Sequence, residues 1–245
     1  MTTTVTTRPS PPAHTARRLG EALLTMAGVF WAIAVVAVVI ATLVAWRVAG
    51  SVDVSIAVYA RQAAIWFPFS LGILVVAAYL RVHIASGMTR RTFVRAALLV
   101  EVAAGVGYAA VFTAVALLER AIHDALGWES VMTEIQLADE STSAGVMLLE
   151  LAVTFVVANL SGLLVGAVFH RYGAWGGMLS LPLTVGPLVL LLYIPGARFV
   201  DLPGIWTTTP AGHLALAVTV GTVLAGAMAA VFAAIVLRLQ LPPAP

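Results

Sequence analysis

The chain has 245 residues, of which 61% are hydrophobic and only 10% charged, with a formal net charge of +2. A water-soluble domain carries about a quarter charged residues, so most of this surface needs a non-aqueous surrounding, and so small a positive balance points away from nucleic acid. There are no cysteines, which excludes disulfides and thiolate metal sites, and all 13 basic residues are arginine.

In chain order, Met1 to Thr15 are rich in Thr and Pro and lack acids, and residues 1–19 read as a disordered cytoplasmic tail. Arg17 and Arg18 before an apolar stretch resemble a twin-arginine export signal. The run Leu23 to Trp46 is too long for a cleaved signal core of roughly 7–15 residues and fits a membrane-spanning helix of about 20. Further spans are predicted at Ala63–Leu80, Ala96–Leu118, Ala144–Phe169, Ala174–Ile194 and Leu214–Leu237. They are helical, because backbone in lipid must satisfy its own hydrogen bonds and these segments are twice the length of a barrel strand. The expected fold is an all-α bundle of about six transmembrane helices over residues 20–238, with a short cytoplasmic tail at 239–245.

Arginine placement sets the orientation. With the N-terminus inside, Arg8, Arg17, Arg18, Arg81, Arg90, Arg91, Arg95, Arg171 and Arg238 are cytoplasmic, and only Arg47, Arg61, Arg120 and Arg198 lie outside. The longest connection, Glu119 to Ser143, is then external and acidic, with Glu129, Glu134, Asp139 and Glu140. The following external connection carries Pro195, Pro203, Pro210 and Trp206, the last an interface anchor. Pro182 and Pro187, with Gly176, Gly177 and Gly186, predict a kinked or broken fifth span.

Small residues mark close helix contacts, because lipid supplies no hydrophobic push between helices. Ala158, Gly162 and Gly166 recur at four-residue spacing in the fourth span, and Ala217, Gly221, Ala225, Ala229 and Ala233 in the sixth. Two acids lie inside spans: Glu101 nearer the cytoplasm and Glu150 nearer the outside. Each is either a contact for a proton or cationic substrate, or an acid kept neutral or paired with an arginine or interfacial water. Asn159 reads as interhelical glue.

Without lysine no P-loop is possible, and the five histidines show no metal-ligand spacing. There is no serine elbow. The chain is expected to be neither an enzyme nor the holder of a cofactor.

The most informative stretch is Ser86-Gly87-Met88-Thr89-Arg90-Arg91-Thr92-Phe93, between the second and third spans. A glycine breaks the chain, a threonine can cap a new helix, two arginines follow and an aromatic enters the membrane. A positive-inside anchor with a capped helix start accounts for the arginines. Here the sequence resembles the permease subunits of type-two ABC exporters, which often carry Gly-(Val/Met/Ile)-(Ser/Thr)-Arg-Arg-x-x-Phe in this loop. Gly87, Met88, Thr89, Arg90, Arg91 and Phe93 match, the aromatic standing one place early. Ala158 to Gly162, followed by His170-Arg171-Tyr172-Gly173, is a second similar stretch, and the outer loop is more modest than a large extracellular domain. The resemblance implies a multi-pass protein of the bacterial cytoplasmic membrane that moves an unnamed substrate across it. It also implies a separate ATPase chain, which would hold ATP and Mg and dock on the 87–93 loop, and a second permease copy or a related permease. The alternatives are an ion-coupled secondary transporter using Glu101, and a non-transporting membrane partner subunit.

Overall fold

The computed structural model describes residues 11–128, 143–193 and 210–239. Glu129, Glu134, Asp139, Glu140, Arg8, Arg198, Pro195, Pro203 and Trp206 lie outside the described residues, as does most of the 239–245 tail. The described part is helical: α1 (Pro11–Ala49), a short 3-10 turn at Ala57–Tyr59, α2 (Ala60–Leu74), α3 (Leu80–Ala85), α4 (Arg90–Leu126), α5 (Ala144–Thr184), α6 (Gly186–Tyr193) and α7 (Pro210–Leu237). A π-helical turn, Val75–Tyr79, joins α2 to α3.

Five helical stretches are long and apolar enough to cross a membrane, where six spans are predicted. The difference lies in the fourth stretch, Ala144–Leu192, which runs for 49 residues. Drawn straight it would measure about 73 Å, against a hydrocarbon core of about 30 Å. It is not straight. Gly173 has φ 71° and ψ −171°, a combination open essentially to glycine alone. Beyond it the chain folds back: a Cβ placed on Gly177 would lie 2.5 Å from the ring of Phe169. One placed on Gly221 of α7 would lie 2.1 Å from Val153 and 3.4 Å from Leu191. In a continuous helix Val153 and Leu191 would be about 57 Å apart. The stretch is therefore a hairpin, and its second arm is interrupted again at Val185, between Thr184 and Gly186.

The first arm of α5 is the axis of the bundle. Leu151, Phe155, Val157, Ala158, Leu163 and Ala167 are fully buried, and α2, α4 and α7 pack around them. The small-residue stripe makes this possible. A Cβ on Gly162 would sit 2.1 Å from the Phe69 carbonyl oxygen, and one on Gly166 3.1 Å from that of Ile73. Ala158, Gly162 and Gly166 thus serve contacts within the chain. Gly221 does the same on α7, with Ala225 partly buried against the core.

Several helices extend beyond the predicted spans. Residues 11–19, expected to be disordered, are the first turns of α1. Prolines in the first turn need no intrahelical donor, Leu19 is buried against the bundle, and Arg17 pairs with Glu21 one turn on at 2.8 Å. At its other end α4 continues to Leu126, so Glu119 belongs to a helix and not to the outer loop, and Gly127 closes that helix at φ 70°. Arg61, expected in a loop, is one residue inside α2 and 5% exposed. By contrast the most apolar part of α1 buries none of its residues, and Val29, Ile33, Val36 and Ile40 face outward.

Candidate functional site

Two regions concentrate polar chemistry. The first is the turn between α3 and α4. Ser86 ends α3, and Gly87 takes φ 80°, the left-handed geometry that closes a helix. The Gly87 N–H donates to the Ile84 carbonyl at 3.0 Å and the Met88 N–H to that of His83 at 3.3 Å, the paired closure expected when glycine follows the last helical turn. Thr89 then caps α4, its hydroxyl accepting from the Thr92 N–H at 3.2 Å. Ring contact between His83 and Phe93, at 5.5 Å, holds the two helices together.

This packing sorts the motif residues. Phe93 is fully buried and faces the core. Met88 is half-buried, with its sulfur 3.8 Å from the Thr15 hydroxyl of α1. Arg90 reaches the Leu237 carbonyl at 3.5 Å, and Arg171, beside the Gly173 bend, reaches the Ile235 carbonyl at 3.3 Å. Both cations thereby meet the carbonyl-rich end of α7, where the helix dipole favours positive charge. Gly87 and Arg91 are left exposed at the tip.

The second region is the buried interior. Asn159 donates from Nδ2 to the backbone carbonyl of Glu101 at 3.0 Å, tying α5 to α4. A Cβ on Gly105 would lie 2.8 Å from Val156, so the same two helices are in backbone contact one turn further on. Glu101 and Glu150 are both buried, at 1% and 3% exposure, but their surroundings differ. Glu150 lines a cavity of about 10 Å³, room for a single water, together with Arg61, Thr154, Leu191 and Ala217. Opposite charges from α5 and α2 thus share one small space, which offsets part of the desolvation cost of each. Neither carboxylate oxygen of Glu101 has a hydrogen-bond partner among the described residues. An acid inside a membrane helix costs about 2.5–3.5 kcal/mol on insertion scales, so this cost is left standing in the fold.

Sequence reasoning missed three members of this set. Arg61 and Glu119 were assigned to loops because both lie just beyond the apolar windows. Tyr108, 4% exposed and seven residues from Glu101 on α4, has a hydroxyl without a partner among the described residues. Its spacing from Glu101, two helical turns, was the available signal.

These features define a multi-pass membrane protein, helical throughout its described membrane segments, with a tight cationic turn at one end and two buried carboxylates inside the bundle. Comparison with protein-family models, with curated proteins and with solved structures finds no match to this chain.

Proposed function

We propose that the chain is a permease subunit of an ABC-type exporter in the bacterial cytoplasmic membrane, crossing it six times with both termini inside and driven by a separate ATPase chain. The hairpin supports the sixth crossing: its second arm, residues 174–192, would span about 28 Å as helix, close to the hydrocarbon thickness. The observation that carries the coupling assignment is the Ser86–Thr89 turn. It is closed by Gly87 and capped by Thr89, and it presents Arg91 outward at the arginine-rich end of the bundle. A capped, cationic turn suits a cleft lined with carboxylates on a partner. Phe93, facing inward, holds the turn in place, and Met88 is the apolar side chain nearest its surface.

The packing also selects the variant for the test. Arg90 supports α7, so its loss would disturb the fold as well as any interface. Arg91 is exposed, and Arg91→Gln leaves Arg81, Arg90 and Arg95 to hold the topology. In membranes co-expressing the ATPase chain that this reading requires, Arg91→Gln is expected to insert normally and to retain about a tenth or less of the bound ATPase, a loss of roughly 1.4 kcal/mol or more. Wild-type ATPase capture and ATP turnover by a correctly inserted Arg91→Gln chain would remove the coupling assignment.

One observation favours a second reading. Glu101, whose carboxylate has no hydrogen-bond partner among the described residues, is the kind of group an ion-coupled carrier uses. In that case Glu101→Gln abolishes gradient-driven uptake or efflux in vesicles lacking ATP, whereas an ATP-driven permease shows no such transport in the first place.

A further inference from the structure

A cavity of about 430 Å³ opens between α1, α2 and α4. Its walls are apolar, with Leu23, Ala27 and Trp31 from α1, Pro68 and Leu71 from α2 and Gly107 from α4 among them. Glu101 and Tyr108 are polar residues of its wall on α4, their oxygens buried within it, and among the described residues no basic side chain lines it. Glu101 is 1% exposed, and its carboxylate oxygens and the Tyr108 hydroxyl are without hydrogen-bond partners among the described residues. The rings of Trp31 and Tyr108 lie 5.5 Å apart, and Phe30 stacks on Phe67 at 4.6 Å behind them. At the rim Leu24 and Leu99 are 72% and 64% exposed, so the opening is bordered by side chains suited to lipid.

This lining selects among cations. Calcium or magnesium needs six or more oxygen ligands, or several retained waters, and the cavity offers one carboxylate and one phenol. A polyamine or guanidinium would bury N–H donors that the apolar wall cannot satisfy. A weakly hydrated organic cation has no such donors. It gains from the carboxylate, from the faces of Trp and Tyr, and from apolar contact over the rest of its surface.

We propose that this cavity binds a lipophilic organic monocation drawn from the bilayer, with Glu101 as its counter-charge and Trp31 and Tyr108 as its aromatic wall. The site is complete within this chain and needs no ATPase, so its test is independent of the exporter reading. Glu150 takes no part, since it faces Arg61 in a separate, smaller cavity.

The probe is radiolabelled tetraphenylphosphonium, titrated against the purified full-length chain in lipid nanodiscs. Saturable binding of one probe per chain is expected. It should be displaced by other aryl or alkyl quaternary cations and not by neutral triphenylphosphine oxide. Glu101→Gln should weaken it at least about tenfold, while Glu150→Gln binds as the unmodified chain does. Gly107→Leu is the second variant: a Cβ at Gly107 meets nothing within 4 Å, so the backbone accepts it and the side chain fills the cavity. A monodisperse Gly107→Leu chain should have lost the probe, and this variant decides the matter if Glu101→Gln does not fold. The proposal is overturned by absence of saturable binding, by displacement with the neutral compound, or by undiminished binding to either folded variant. The cavity would then be a socket for lipid tails.

Discussion

Glu119 and Glu101 stand eighteen residues apart on the same helix, and the fold treats them in opposite ways. Glu119 accepts from the Ser55 hydroxyl and from the backbone N–H groups of Ile56 and Ala57, the latter two at 2.9 and 3.0 Å. It therefore caps the start of the second membrane helix from a helix sixty residues away, a carboxylate placed where the helix dipole is positive. Charge-assisted bonds of this kind are worth about 1.5–3 kcal/mol, and removing the acceptor strands buried donors. Glu119→Ala is expected to destabilise the protein by about 3 kcal/mol, read as a fall of several degrees in the unfolding midpoint in detergent. Glu119→Gln, which keeps an acceptor oxygen, should lose less. Equal midpoints for Glu119→Ala and the unmodified chain would show that the cap contributes nothing. Neither this role nor the shared cavity of Arg61 and Glu150 was legible in the sequence, because each joins residues at least sixty positions apart and a hydropathy window sees only neighbours. The intramembrane position of Glu101 was legible, since one acid interrupts an otherwise apolar run. The lack of a hydrogen-bond partner for its carboxylate among the described residues was not.

At the level of elements, spacing was the informative signal. Ala158, Gly162 and Gly166 recur at four-residue spacing on α5, and at Gly162 and Gly166 the backbone of α2 comes close. Gly72 and Gly105 make contacts as close, with a Cβ landing 2.9 Å from the Asn159 carbonyl oxygen and 2.8 Å from Val156 respectively. Gly162 is the most constrained of the set, since a Cβ would overlap a backbone oxygen that no rotamer change can move. Gly162→Ala is expected to push α2 off α5 at a cost of about 1–3 kcal/mol, with lower yield of folded protein and a lower unfolding midpoint. Gly226→Ala on α7 is the matched control. Nothing lies within 4 Å of a Cβ there, and alanine's helix preference should leave stability equal or raise it by up to about 1 kcal/mol. If the two alanine variants melt together, the tight α2–α5 contact does not hold the bundle. Helix ends were the least legible feature. α1 and α4 continue past the apolar windows on capping, ion pairing and packing, none of which hydropathy records.

For the whole molecule, the decisive question is on which side each end lies. Thr15 of α1 touches Met88 in the α3–α4 turn, Arg90 after that turn reaches the last carbonyl of α7, and Arg171 beside the Gly173 bend reaches the turn before it. The beginning of α1, the Ser86–Thr89 turn, the Gly173 bend and the end of α7 therefore gather at one end of the bundle. The opposite end holds the close of α1 and the close of α4, where Trp46 and Trp128 meet at 6.4 Å. A chain whose first and last helices have their outer ends together crosses an even number of times. The proposed topology meets that parity if Ala144–Leu192 is two crossings joined at Gly173, and under it the excess of arginine puts the gathered end in the cytoplasm. Single cysteines test this without interference, since the chain has none of its own. Ser86→Cys, Trp175→Cys and Arg238→Cys, all at exposed positions of the gathered end, should react with an impermeant maleimide only after the cells are opened. Asp53→Cys, exposed beyond the far end of α1, should react in intact cells. Five crossings would instead leave Ser86 protected and expose Arg238→Cys to reagent in intact cells. Labelling of Trp175→Cys in intact cells would place the Gly173 bend outside and break the link between the bend, the arginines and the end of α7.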